Sequence, residues 1–135
     1  RGAIAKMRAF DRLTHRQGLM ADTLDDLGKR LERFASEREW QRFHSPKNLA
    51  SALIVEAGEL LEHFQWMTEE QSRALAPERL EAVRSEVADV LLYLVQLCNV
   101  LGIDPVKAAQ DKLAANAARY PVEKARGNSR KHEEL

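Results

Sequence analysis

The chain has a single cysteine, Cys98, so no internal disulfide framework can form, and it carries no Cys/His spacing of the zinc-binding kind. Charge of either sign is not in excess: 21 Lys and Arg stand against 21 Asp and Glu, which gives no footprint for nucleic acid or for a membrane surface. Long apolar runs are missing too, and none approaches the roughly 20 residues needed to span a bilayer. No β-strand alternation, repeat or low-complexity tract is present. The expectation from these absences is a soluble, cytoplasmic protein with no nucleic-acid partner and no membrane partner. At 135 residues the chain is one domain by size, and an all-helical domain this short often completes its core by oligomerising.

What remains is helical periodicity. Residues 1–19 have neither a signal-peptide core nor a clean helical stripe, and either Met7 or Met20 could serve as a start. That segment is set aside as a tail, of upstream or expression-derived origin, outside a domain spanning 20–121. Thr23 can cap a first helix over about 23–41, with Leu24, Leu27, Leu31 and Phe34 on one stripe leading toward Trp40. Ser45 before Pro46 opens a second over about 46–66, with Leu49, Leu53, Ala57, Leu60, Leu61 and Phe64 on its apolar face. Pro77 opens a third, ended by Gly102, in which Leu80, Val83, Val87, Val90, Leu91, Leu94 and Cys98 face inward. Cys98 is therefore expected to be a core thiol and not a nucleophile. Asp104 and Pro105 start a fourth helix over about 105–120, with Val106, Ala109 and Leu113 inward. Residues 122–135 are polar and read as a tail.

Two pairs of acids interrupt the greasiest stretches. Glu56 and Glu59 lie three apart in "ALIVEAGELLEHFQW", and Glu86 and Asp89 lie three apart in "RSEVADVLLYL". Residues at that spacing project from one helix face about 60° apart and about 4.5 Å apart along the axis. Like charges so placed repel, and burial adds desolvation unless a cation offsets both. If the two helices are antiparallel neighbours, four carboxylates meet between them and offer hard oxygen ligands suited to Mg²⁺ or Mn²⁺. One such pair alone is more often a solvated face. A di-iron bundle would need Glu-x-x-His motifs, and His63 falls four after Glu59, not three.

The acidic pattern, with "EREW", "FHSPKN" and "FQW" in order, resembles the MazG-like all-α nucleoside triphosphate pyrophosphohydrolases. The stretch "FASEREWQRFHSPKNLASALIVEAGELLEHFQW" looks like their deoxycytidine triphosphate pyrophosphatase branch, and the likeness continues through "EVADVLLYLVQL", "KLAANAARYP" and "SRKHEEL". The resemblance implies a four-helix, all-α MazG-like bundle assembled as a homotetramer. It implies Mg²⁺-dependent hydrolysis between the α- and β-phosphates, releasing a monophosphate and pyrophosphate, in cleansing of the nucleotide pool. Glu56, Glu59, Glu86 and Asp89 are then the metal ligands. Glu59 and Glu56 are the catalytic carboxylates, with Glu59 favoured as general base although neither spacing nor motif separates them.

Phosphate binding falls by the same resemblance to Lys112, Asn116, Arg119 and Tyr120 on the fourth helix, with Arg130 and Lys131 closing from the tail, in the same or a neighbouring subunit. Trp40, His44 and Trp66 would form the base pocket, and Tyr93, four after Asp89, would abut the sugar. Core filling is the other reading of both tryptophans, and an ordinary solvated face is the other reading of the fourth helix. Eukaryotic members of the branch carry a histidine nine residues before the first tryptophan, where this chain has Leu31. That departure bears on base preference and leaves the metal chemistry untouched. Two further readings stay open: a related pyrophosphatase acting on dUTP or a damaged purine nucleotide, and a non-catalytic helical oligomer that binds nucleotide.

Overall fold

The computed structural model describes residues 23–131 and Glu133, so the tail expected over residues 1–19 lies outside the described residues. Among the described residues every regular element is helical. Helix α1 (Leu24–Ser36) begins with a complete capping box: the Asp26 amide donates to Thr23 Oγ1 at 3.1 Å, and Asp26 Oδ2 accepts from the Thr23 amide and hydroxyl. It stops five residues short of the expected end at 41. Glu39 takes left-handed backbone (φ 54°), Arg38 Nη1 donates to the Phe34 carbonyl at 2.9 Å, and the chain re-forms as a 3₁₀ turn over Trp40–Phe43.

Ser45 caps α2 (Pro46–Glu62), with proline at its first position. This helix also ends before its expected limit of 66. The following turn leads to Thr68, whose capping box with Gln71 starts a short α3 (Glu69–Arg73) that periodicity did not reveal. The long α4 (Pro77–Leu101) matches its expected span. It closes in a Schellman motif: Gly102 is left-handed (φ 65°), its amide donates to the Asn99 carbonyl, and the Ile103 amide donates to the Cys98 carbonyl at 2.9 Å. Asp104 caps α5 (Pro105–Arg119), and α6 (Val122–Ala125) occupies part of the segment expected to be a polar tail.

Packing centres on α4, which lies against α2 along most of its length and against α1 toward its C-terminal end. Both pairings are antiparallel. His63 meets Arg79 while Glu56 meets Glu86 and Asp89; Gly28 meets Asn99 while Ala35 shares a cavity wall with Leu92. Asn99 Nδ2 donates to the Gly28 carbonyl at 3.0 Å, and a Cβ at Gly28 would stand 3.1 Å from Asn99 Oδ1, so a side chain there would make the Asn99 amide give way by a few tenths of an ångström. Helix α5 leaves α4 at a bend of 98° and packs on no other element to a comparable extent.

The core is correspondingly small. Ala35, Leu49, Val95 and Cys98 are buried, as expected for Leu49 and Cys98. Other stripe residues expected to face inward lie open: Leu61, Leu80, Val87, Leu91 and Leu94 are exposed, and Leu113 is 70% exposed. The reason is geometric. The helices packed on the 25-residue α4 do not cover every apolar face of it, and α5 leaves at a 98° bend without packing extensively on another element. Among the described residues no single helix is long and apolar enough to cross a membrane.

Candidate functional site

The acids converge where α2 crosses the first half of α4. Ligand-type oxygens of Glu56, Glu86 and Asp89 lie within 4.8 Å of one another, and all three side chains are half-buried. Glu59 lies outside that group and is exposed. Spacing explains the asymmetry: residues three apart diverge by about 60° around the axis, so when Glu56 points at α4, Glu59 falls at the rim. Burial pushes the Glu56 carboxyl above its ordinary range, and repulsion from Glu59, Asp89 and Glu86 pushes the same way. Glu59 thus acts on the cluster without joining it.

A relay that sequence reading missed supports Glu86. Arg79 Nη1 lies 3.2 Å from His63 Nδ1, and His63 Nε2 lies 3.9 Å from Glu86 Oε1. A guanidinium can only donate, so Nδ1 accepts and the imidazole carries its proton on Nε2, facing the carboxylate. His63 thereby stands between the Arg79 guanidinium and Glu86, next to a carboxylate of the group though beyond hydrogen-bond distance of it. The signal was present in the sequence only as His63 one turn after Glu59.

A cavity of about 260 Å³ adjoins the acids. It is lined by Leu31, Phe34 and Ala35 of α1, Trp40 and His44 of the 3₁₀ turn, and Asp89, Leu92, Tyr93 and Gln96 of α4. Asp89 therefore belongs to both the carboxylate group and the cavity wall. The early end of α1 builds this pocket, because it folds Trp40 back edge-on to Phe34 (5.7 Å between centroids) and His44 edge-on to Trp40 (6.3 Å). Among the described residues, the two buried side-chain atoms left without a hydrogen-bond partner are His44 Nδ1 and Gln96 Oε1, and both residues line this cavity.

The carboxylate donors are all hard oxygens, and their repulsion is of the kind a bound cation would relieve, so the residues fit a divalent metal ion. With that geometry in hand, the model of the MazG-like family matches residues 52–135. The chain belongs to the MazG-like family. It is 42% identical over 115 residues to human dCTP pyrophosphatase 1, covering 84% of this chain and 68% of the relative, and the mouse protein of the same name matches equally. A crystal structure of a pyrophosphatase from Archaeoglobus fulgidus superposes with a TM-score of 0.70 at 36% identity, covering 78% of this chain and 99% of that one.

Not every expected site residue of this MazG-like chain gathers at the acids and the cavity. Trp40, His44 and Tyr93 line the cavity, whereas Trp66 is 88% exposed beyond the end of α2. Lys112, Asn116, Arg119 and Tyr120 lie on α5 or its cap and line neither the cavity nor the acidic group, since the 98° bend carries α5 away. Arg130 and Lys131 lie beyond a left-handed Gly127 (φ 69°), with the Arg130 amide donating to Asn128 Oδ1 at 2.9 Å. Phe34, Leu92 and Gln96 line the pocket without having been expected there. Phe34 reads as part of the α1 stripe, Leu92 falls outside the inward face expected for α4, and Gln96 is the one polar interruption in "LVQLC".

Proposed function

We propose that the chain hydrolyses dCTP, or a dCTP substituted at the 5-position, between its α- and β-phosphates, giving the monophosphate and pyrophosphate. The observation that carries this reading is the junction of three carboxylates with an aromatic-lined cavity, joined by Asp89. A triphosphate and a base need those two environments side by side. The named activity of the human and mouse relatives supports the same substrate.

Glu56, Glu86 and Asp89, with Glu59 swinging in from the rim, would hold Mg²⁺, with Mn²⁺ as a substitute. Bound there, the ion supplies neutralisation of the triphosphate and makes water more acidic at neutral pH. The other roles belong to the protein. Glu59, exposed at the rim and close enough to act on Glu56, serves as the general base that takes the proton from the attacking water. His63, set beside Glu86 and anchored by Arg79, limits the positions open to that carboxylate. Trp40 and Phe34 offer ring faces and edges to the base, and Tyr93 closes against the sugar.

The basic residues on α5 and beyond have to reach phosphate from elsewhere. In a homo-oligomer, most simply a tetramer, the open apolar faces of α4 and α5 would be covered, and Lys112, Asn116, Arg119, Tyr120, Arg130 and Lys131 of one copy would close over the phosphates of another. Trp66 would be buried by the same assembly. The role proposed is cytoplasmic cleansing of the nucleotide pool. Phosphorus NMR of the products from dCTP and Mg²⁺ tests the chemistry: dCMP with pyrophosphate supports it, whereas dCDP with orthophosphate, or no turnover across a nucleotide panel, would refute it.

A further inference from the structure

Gln96 is the one buried polar side chain among the described residues, at 6% exposure, and its Oε1 accepts no hydrogen bond. Its sequence neighbours Val95 and Leu97 are apolar. An amide desolvated at that depth without a partner is unfavourable, and an apolar side chain of the same shape would sit there at less cost. Its position relative to the acids is informative. Asp89, Tyr93 and Gln96 follow one another on α4 at spacings of four and three, so they share a face, with Asp89 and Gln96 about 10.5 Å apart along the axis. That separation is comparable to the reach of a nucleotide from its α-phosphorus to the far edge of its base.

We infer that Gln96 is a specificity-determining residue whose Oε1 accepts a hydrogen bond from the exocyclic amino group of the substrate base. The inference rests on the nucleotide reading above and deepens it. Leu31 and Phe34 on the opposite wall offer no hydrogen bond; among the polar groups that line the cavity with Asp89, Trp40 and Tyr93, Gln96 and His44 are the two that hold a buried atom without a partner. A buried acceptor favours a 4-aminopyrimidine, which brings an N–H to it. A base with hydrogen at the 4-position brings no donor and leaves Oε1 unpartnered. The stability lost by burying the amide is recovered only when a base supplies the donor.

The test compares dCTP with the triphosphate of 2′-deoxyzebularine, which has hydrogen in place of the 4-amino group, on the wild type and Gln96→Met. The wild type should prefer dCTP in kcat/KM by roughly tenfold or more. In Gln96→Met that ratio should collapse toward one, through loss with dCTP, while the nucleotide-free protein melts at a higher temperature. An unchanged ratio would overturn the inference, and so would a lowered melting temperature, which would make the amide structural. Gln96→Asn, which keeps the amide but withdraws it by one methylene, should retain part of the discrimination; full loss with intact folding would also count against the proposal. If the wild type turns over neither nucleotide, the hydrolytic reading fails separately, and calorimetric affinities for the same two ligands still decide the role of Gln96.

Discussion

Replacing Glu56 with Gln should make the metal-free protein more stable, because the acidic group is held together against its own repulsion. Its oxygens lie within 4.8 Å of one another, a separation at which two unit charges repel by about 0.9 kcal/mol in bulk water and about 3.5 kcal/mol at an effective dielectric of about 20. The side chains are half-buried, so solvent screening places each pair toward the lower figure. Removing the charge of Glu56 eliminates two such pairs, and relaxation of the wild type offsets part of the gain. The expected stabilisation is about 1–2 kcal/mol, or about 4–8 °C in Tm for a domain of this size. The assay is a thermal melt in EDTA near neutral pH, followed by the same melt with Mg²⁺. The order should reverse with metal, since the wild type gains by mass action and the variant loses a ligand.

The pH dependence supplies a second check with a definite sign. Glu56 has a raised pKa from burial first and from its acidic neighbours second, so the folded state holds this proton more tightly than the unfolded chain. The stability tied to neutral Glu56 is present below the unfolded value of 4.5 and is lost as pH rises through the folded value. The Tm gap between Glu56→Gln and wild type should therefore open across that window and close as pH falls to 4.5. A variant no more stable than wild type in EDTA, or one with an undiminished Mg²⁺ response, would refute the account of the cluster.

Three other perturbations have defined outcomes. His63→Leu removes the imidazole that stands 3.9 Å from Glu86 and should raise the Mg²⁺ concentration for half-maximal stabilisation by about tenfold, with Arg79 intact; an unchanged midpoint would remove His63 from the site. Thr23→Ala breaks the capping box at the start of α1 and should lower stability by about 1 kcal/mol in a urea melt at neutral pH. Hydrogen bonds from Thr23 hold Asp26 below its usual value, so the part of the deficit due to the lost hydroxyl bond to the Asp26 carboxylate is present above the unfolded 3.8 and lost as pH falls through the folded value; the deficit should shrink in acid and persist through the lost Asp26 amide bond to Thr23 Oγ1. Gly102→Ala places a side chain on a left-handed residue at the end of α4 and should cost about 1 kcal/mol, read as a lowered denaturation midpoint at constant slope.

The starts of the long helices were legible because each carries its own chemistry: a hydroxyl or carboxylate cap at Thr23, Ser45 and Asp104, and proline at Pro46, Pro77 and Pro105. Their ends were not. Helix α1 stops at Ser36 because Glu39 turns left-handed, and nothing about a glutamate in "SEREW" announces that; Arg38 reaching back to the Phe34 carbonyl is visible only in the fold. The acids were legible as pairs, since a three-residue spacing fixes a common face, but which member turns inward depends on the angle at which α2 meets α4. The cavity was illegible for a related reason. Its wall is drawn from the break after α1 and from α4 two turns below Asp89, and periodicity marks a residue as apolar without saying whether it meets another side chain or empty space. Gln96 is where that ambiguity matters most. A lone glutamine in an apolar run looks like a tolerated imperfection on paper, whereas in the fold it is buried, unpartnered and in line with the acids, which is the pattern expected of a group kept for its ligand at the expense of packing.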